Sequence, residues 1–162
     1  MIIKAIVCLS ILIFTTTIGY LLASKYRNRK IFFMQFHLLN ERFLREIEYQ
    51  KRPIREFIQK NIFKGDFCQV LNIYLDNLGN FDDFLSIFPE ISYLNNEEIK
   101  FLSEYLNSLG KGDSGAQKKH FSALNTQIDE FKKSSEVEYK RYADLYVKLG
   151  VLIGLAIIIV II

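Results

Sequence analysis

The residues best suited to catalysis or metal binding are few and scattered along this sequence. It contains two Cys and two His, too few for a disulfide framework or a four-ligand zinc site within one chain. His37 and His120 are single residues on helical patterns, each next to a Phe, so a packing role is favoured over metal binding or proton transfer. Cys8 lies in an apolar run and Cys68 on an amphipathic helix with no second Cys nearby, and both are interpreted as small apolar residues.

The motif Asp113-Ser114-Gly115 resembles the surroundings of a serine nucleophile only superficially. It lacks the preceding strand and the complete pair of flanking glycines that a nucleophile elbow needs, and Lys111–Gly115 lacks the spacing of a phosphate-binding loop. A turn followed by a helix cap is the favoured interpretation. Neighbouring carboxylates on a helix point in different directions, so no acid/base pair is predicted. The pairs are Glu46 with Glu48, Asp82 with Asp83, and Glu97 with Glu98. We expect no enzymatic activity, no metal and no cofactor.

The apolar residues, half of the 162, are concentrated at the two ends of the chain. The uncharged run Ala5–Ala23 spans about 28 Å as a helix, close to the hydrocarbon thickness of a bilayer. It is long for a signal peptide and lacks a good cleavage site, so a transmembrane helix is predicted over 1–24. The apolar run 149–162 predicts a C-terminal transmembrane segment, although its length of about 21 Å also suits a buried core helix.

Basic residues on the inner flanks of both apolar runs predict the orientation in the membrane. Such residues concentrate on the cytoplasmic side, so 25–148 is predicted to be a cytoplasmic domain with both termini across the membrane. The net charge of +3 then reflects this membrane collar and not a nucleic-acid-binding surface. The main collar residues are Lys25, Arg27, Arg29, Lys30 and Lys148.

Helical periodicity extends through the middle of the chain, and no alternating β-branched run interrupts it. The first membrane helix is predicted to continue to Tyr49, and a second helix to cover 53–64 with Ile62 on its apolar side. The first helix carries a stripe of Phe32, Phe36, Leu39, Phe43 and Ile47. The last helix carries a stripe of Phe121, Leu124, Ile128 and Phe131.

Polar pairs with the spacing of a capping box predict where the remaining helices begin. The helices that they open are predicted to end at Gly79, Phe88 and Gly110, with the fourth running on toward the C terminus. The pairs are Asp66 with Gln69, Asn80 with Asp83, Asn95 with Glu98, and Ser114 with Gln117. The predicted fold is therefore all-α: a compact bundle of about six helices between an N-terminal and a C-terminal transmembrane helix.

Several strings, in this order and spacing, resemble the stage III sporulation protein AB family of endospore-forming Firmicutes. They cover both membrane segments, the segment around Tyr49 and the turn before the last long helix. The strings are Gly19-Tyr20-Leu21-Leu22-Ala23 with Lys25-Tyr26-Arg27, Glu46-Ile47-Glu48-Tyr49 with Pro53-Ile54-Arg55-Glu56, Leu109-Gly110 with Asp113, Gln117 and His120, and Leu149–Leu155. The stretch between Gly65 and Glu98 contributes little to the resemblance.

The resemblance implies a helical domain similar to the F-type platform domain of type II secretion systems. It also implies a place in the secretion-like channel complex between mother cell and forespore, in the mother-cell membrane around the forespore. The implied partners are the stage III sporulation AA ATPase and other proteins of the same operon, with homo-oligomers also possible. Neither nucleic acid nor a small-molecule substrate is expected.

On that hypothesis the domain docks the ATPase through polar residues near the helix ends. The candidate docking residues are Glu46, Glu48, Tyr49, Arg55, Glu56 and Asp113. A purely structural role is favoured for a helix-corner and cap set of Pro53, Gly110 and Gln117. Two alternatives stay open: a small membrane enzyme or lipid-active protein, whose polar membrane residues would be Ser10 and Thr15–Thr17, and a homo-oligomeric scaffold unrelated to secretion.

Overall fold

The structure, a computed structural model, describes residues 2–49, 53–60, 62–78 and 84–161. Within these ranges every regular element is a helix, so the all-α prediction is confirmed. The helices are α1 (Ile2–Tyr49), α2 (Ile54–Lys60), α3 (Asp66–Asp76), a 3₁₀ helix (Phe84–Ile87), α4 (Asn96–Ser108), α5 (Ser114–Glu138), a π segment (Tyr139–Ala143) and α6 (Asp144–Ile161). The chain forms two compact units: unit 1 contains residues 1–30 and 134–162, and unit 2 contains residues 31–133.

Unit 2 has a core built mainly from aromatic rings. The predicted α1 stripe is buried along its whole length, from Phe32 to Ile47. Its Phe36 ring meets the Tyr105 ring edge-on at 4.8 Å, and Phe43 meets Phe121 in the same way at 4.9 Å. Edge-to-face contacts of this kind add about 0.5–1.5 kcal/mol each to the free energy gained by burial. The rings therefore hold α1, α4 and α5 together.

One polar cluster lies inside this aromatic core. Asn40 is completely buried; its side-chain N–H donates to the Asn125 oxygen at 3.0 Å. The Tyr105 hydroxyl donates to the Asn40 side-chain oxygen at 3.1 Å, and burial raises the pKa of that hydroxyl well above its usual range. Buried polar groups are costly unless paired, so this cluster favours one register of α1 against α4 and α5.

The predicted ends of α2 and α3 are wrong in three respects. α2 ends at Lys60, and Ile62 is 80% exposed instead of facing the core. α3 ends at Asp76, short of Gly79. The capping box at its start does not form, because the Asp66 carboxylate accepts a hydrogen bond from the Tyr93 hydroxyl instead. Burial and this carboxylate both raise the pKa of Tyr93.

Two other predicted helix starts gave different outcomes. The capping box of Asn95 and Glu98 is confirmed, with reciprocal side-chain to backbone hydrogen bonds of 2.8 and 3.0 Å. The short predicted helix ending at Phe88 is only a 3₁₀ helix, and its expected cap residues Asn80 and Asp83 lie outside the described residues.

In unit 1, α1 and α6 pack closely through glycines. A Cβ atom added to Gly19 would lie 2.5 Å from the Tyr146 carbonyl oxygen, and one added to Gly150 would lie 2.7 Å from the Thr15 carbonyl oxygen. A Cβ atom added to Gly154 would lie still closer to the Thr15 hydroxyl oxygen. Small residues that allow such contact are typical of helix pairs in membranes. The spacing Gly150-x-x-x-Gly154 is the sequence signal for this crossing.

Two helical stretches of the chain are long and apolar enough to cross a membrane, as judged by length and composition. They are Ile6–Glu48 and Ser114–Val160, the second continuing from α5 through the π segment into α6. Only 11% of the most apolar window in each is buried within the protein, far less than in a typical core helix. The apolar run that begins at Leu149 therefore belongs to a longer helix than its own residues predict.

Candidate docking surface

A groove of about 260 Å³ lies in unit 2, where α1 ends and α2 and α5 begin. We call it the end groove. Apolar side chains from α1 and α2 line one part of it, and polar groups line the rest. The lining residues are Phe43, Glu46, Ile47, Pro53, Ile54, Gly110, Ser114 and Gln117. It thus brings together one predicted docking residue, Glu46, and the whole predicted helix-corner and cap set.

The turns around the end groove explain its shape. Pro53 precedes α2, and its carbonyl accepts the Phe57 N–H at 3.0 Å, as a residue at a helix start does. Gly110 ends the α4 turn at φ +75°, a conformation that glycine adopts without strain. A Cβ added there would also come within 2.9 Å of the Ile54 side chain. Glycine at 110 therefore permits both the turn and the approach of α2.

Asp113 caps α5, one residue earlier than the predicted cap Ser114. Its Oδ1 accepts the N–H groups of Gly115 at 2.8 Å and of Ala116 at 2.9 Å. Hydrogen bonds from Ala116 and then Gly115 lower the pKa of this carboxyl. The Gln117 side chain donates to the Gly112 carbonyl at 3.0 Å, closing the turn beside the groove. The same residues thus form the turn and border the groove.

The remaining docking candidates are divided between structural contacts and exposed positions. Glu48 accepts a hydrogen bond from Lys118 at 3.1 Å, which joins the end of α1 to α5. Arg55 donates to the Leu75 carbonyl at 2.6 Å, satisfying the C-terminal end of α3. Glu56 is exposed in the first turn of α2. The side chain of Tyr49 lies outside the described residues.

The end groove combines an apolar floor with a polar rim, an arrangement suited to receiving a protruding apolar side chain from a protein partner. Phe43, Ile47 and Ile54 form the floor, while Glu46 offers a carboxylate beside it. Asp113 is fully exposed next to Ser114. A partner that places a basic residue beside an apolar anchor would match both parts of the groove.

A charged cluster on α1 and α5 was not identified from the sequence. His37 lies 3.9 Å from Glu41 on one side and 3.9 Å from Asp129 on the other. Lys133 donates to Asp129 at 2.6 Å; this bond lowers the pKa of Asp129 and raises that of Lys133. Glu41, four residues after His37, was the available sequence signal for half of this cluster. Among the residues described by the structure, no group of three or more candidate ligands could hold a metal ion.

The collar residues of unit 1 fall into two groups, those that are exposed and those that contact another side chain. Lys25 and Lys148 are exposed. Arg29 pairs with Glu138 at 2.8 Å, Lys30 lies 4.5 Å from the centre of the Tyr139 ring, and Arg27 lies 5.2 Å from that of Tyr20. Two of the five predicted collar residues, Arg29 and Lys30, thus contact the neighbouring helix, while Arg27 contacts its own helix. The aromatic partners Tyr20 and Tyr139 were not identified from the sequence.

These features define a class of all-α protein with two helices able to cross a membrane and a separate aromatic-cored helical unit. The family model for stage III sporulation protein AB matches residues 4–162, and the chain belongs to that family. The resemblance based on the sequence strings is therefore confirmed. Membership of this family indicates a sporulation stage III protein. No curated protein sequence and no solved structure matches the chain.

Proposed function

We propose that this protein is a non-enzymatic, membrane-anchored platform of the secretion-like channel complex that connects mother cell and forespore. In this role unit 2 lies in the mother-cell cytoplasm and docks the stage III sporulation AA ATPase. Membership of the sporulation family supports the setting. The end groove is the observation that supports the docking function, because it offers an apolar floor beside a carboxylate.

Several features of the end groove favour a protein partner. The backbone turns at Pro53 and Gly110 hold the groove open, so a partner meets a preformed surface and loses less conformational entropy on binding. Glu46 lines the groove and Asp113 directly precedes the lining residue Ser114, so these two carboxylates would steer a basic surface toward the groove. Opposite charge on the ATPase is therefore part of the proposal.

Binding of the full-length chain, in detergent, to the purified ATPase tests the proposal. The informative variant combines Glu46→Gln with Asp113→Asn, because it removes two charges but keeps shape, and asparagine still accepts the capping hydrogen bonds. We expect about tenfold weaker binding, mainly through a slower association rate. Added salt should weaken the wild-type complex more than the variant complex.

The matched control is Glu97→Gln with Glu104→Gln, which removes the same charge from exposed positions on α4, outside the end groove. This control should bind as the wild type does. Equally weakened ATPase binding in both double variants would mean that binding depends on the net charge of the protein and not on the end groove. Absence of binding by the wild-type protein, with its thermal unfolding intact, would reject ATPase docking.

A further inference from the structure

Two depressions on unit 1 adjoin each other and share Tyr20. The first, which we call the collar pocket, has a volume of about 190 Å³ and lies between α1 and the π segment with the start of α6. It is lined by Tyr20, Ala23, Ser24, Arg27, Tyr139, Ala143, Asp144 and Val147. The second, the apolar groove, has a volume of about 460 Å³ and follows α1 away from the collar. It is lined by Leu12, Ile13, Thr16, Thr17 and Tyr20.

The apolar groove presents hydrocarbon despite its two threonines. The Thr16 hydroxyl donates to the Leu12 carbonyl at 2.7 Å, and the Thr17 hydroxyl donates to the Ile13 carbonyl at 2.8 Å. Because the hydroxyls are bonded to their own helix, they need no further partner in an apolar environment. The groove lies within the uncharged run of α1, which would lie among lipid acyl chains where α1 crosses a membrane. Its chemistry and position suit an acyl chain.

The collar pocket carries one group of each charge. Arg27 is held against one wall, where it donates to the Tyr20 hydroxyl and stacks on the Tyr20 ring. A guanidinium has five N–H donors, so it retains donors for a phosphate. Asp144 provides a carboxylate from the other helix, directly after the π segment. The Ser24 hydroxyl proton is bonded to the Leu21 carbonyl at 2.6 Å, which leaves its oxygen as an acceptor.

The π segment explains why such a pocket exists in a tight helix pair. A π turn inserts an extra residue and shifts the faces of the helix before and after it, a feature often found at functional sites. Here it lies between the close glycine crossing of α1 with α6 and the ion pair of Arg29 with Glu138. The pocket opens at this shift, at the boundary between the apolar run and the basic collar.

From this geometry we propose that unit 1 binds a phospholipid with a zwitterionic headgroup, of the phosphoethanolamine type. Arg27 binds the phosphate, while Asp144 and the Ser24 oxygen accept hydrogen bonds from the ammonium group. One acyl chain lies in the apolar groove, which adjoins the pocket at Tyr20. A purely anionic headgroup has no ammonium group of its own to pair with the Asp144 carboxylate.

The proposal goes beyond ATPase docking and depends only on unit 1 lying in a membrane. The test is native mass spectrometry of the full-length protein released from detergent, with phosphatidylethanolamine and phosphatidylglycerol offered at equal concentration. We expect the wild type to retain the ethanolamine lipid at least about fivefold more. Asp144→Asn should remove this preference, and Arg27→Gln should reduce retention of both lipids.

The control Lys25→Gln removes a collar charge that does not line the pocket, and it should behave as the wild type does. Equal retention of the two lipids by the wild type would overturn the proposal, as would an unchanged preference in Asp144→Asn. If a lipid-free dimer is the dominant species, a second copy of the chain occupies the groove, and this result would also overturn the lipid proposal. Asp144 is exposed, so this variant keeps the test valid even where Arg27→Gln fails to fold.

The acyl-chain part of the proposal has its own readout. A phosphatidylethanolamine carrying a photoreactive group in its acyl chain should crosslink mainly within residues 12–20 of the wild type. Crosslinks spread evenly around both helices would reject the apolar groove as a binding site. The variants used in the lipid experiments leave the end groove of unit 2 unchanged. The ATPase-binding proposal can therefore succeed or fail independently of the lipid proposal.

Discussion

Asp113 shows how one side chain can be both a structural cap and a candidate docking residue. Its carboxylate accepts two backbone N–H groups at the start of α5, and these bonds lower its pKa below the ordinary value of 3.8. A carboxyl whose pKa is lower in the folded state stabilises the fold at pH values above its unfolded pKa. That contribution is lost as the pH falls through the folded-state pKa.

The pH dependence of unfolding should reveal this contribution. Asp113→Asn keeps the capping oxygen but does not titrate, so the wild type should be the more stable protein at pH 7. The difference should shrink as the pH falls below 3.8 and vanish below the folded-state pKa. Thermal unfolding of both proteins between pH 7 and pH 2 measures it. A difference that stays constant with pH would contradict the electrostatic origin of the effect.

Tyr105 should be among the least replaceable polar residues of unit 2. Tyr105→Phe removes the hydroxyl that donates to the buried oxygen of Asn40 and leaves that oxygen without this partner. The expected cost is about 1–3 kcal/mol in the free energy of unfolding, measured with chemical denaturant. Adding Asn40→Leu removes the buried acceptor as well, so the double variant should lose less than the sum of the single losses. Strict additivity would show that the two residues do not interact.

At the scale of elements, the apolar stripes were predictable because burial repeats with the helical period. The α1 stripe from Phe32 to Ile47 is buried; in the α5 stripe Phe121 and Ile128 are buried, whereas Leu124 and Phe131 are partly buried. Helix ends were harder to predict, since they depend on competing partners far along the chain. Asp66 illustrates this: Tyr93, 27 residues away, takes the carboxylate that the local spacing assigned to a cap. The pattern of apolar residues contains no local signal for the π segment.

The turn after α4 allows strain and steric contact to be measured separately. Gly110 and Gly112 both have positive φ, 75° and 91°, but only a Cβ at 110 would meet the Ile54 side chain. Gly112→Ala should cost about 1–2 kcal/mol for the left-handed conformation. Gly110→Ala should cost more, by about 1–3 kcal/mol, because α2 must also shift. Denaturant unfolding checks both, and equal losses would argue against the contact with Ile54.

The glycine crossing of α1 with α6 should hold unit 1 together. Gly150→Leu places a side chain where the backbone of Thr15 lies, so the two helices should separate and the protein should unfold at a lower temperature in detergent. Ala156→Leu adds similar bulk at an exposed position of α6 and serves as the control. If both variants unfold at the wild-type temperature, close packing at Gly150 contributes nothing to stability.

For the whole molecule, the composition of the candidate site was only partly predictable. Sequence patterns singled out Glu46, Pro53, Gly110 and Gln117, and all four line the end groove. Their convergence depends on contacts between distant parts of the chain, such as Gly110 with Ile54 and Phe43 with Phe121, which no local pattern encodes. Arg55 and Glu48 were selected for the same reasons, yet both make contacts between helices of unit 2. A charged residue near a helix end therefore needs a structure before docking and packing roles can be separated.

The charges of the chain predict its orientation in the membrane, and the proposed function depends on that prediction. The collar residues lie on the inner flanks of both apolar runs, and such residues stay on the cytoplasmic side. Residues of unit 2 should therefore be shielded from a membrane-impermeant thiol reagent in intact cells that express the protein. Lys100 is a suitable probe, because its side chain is 69% exposed on α4 and Lys100→Cys should leave the core intact.

Labelling is performed in a background with Cys8→Ala and Cys68→Ala, so that the introduced thiol is the only one. Lys100→Cys should react only after the membrane is permeabilised. Val160→Cys, at a position 86% exposed near the far end of α6, should react in intact cells. Reaction of Lys100→Cys without permeabilisation would place unit 2 outside the cytoplasm. An ATPase that hydrolyses cytoplasmic ATP could not then reach the end groove, so this one measurement tests both the topology and the proposed partner.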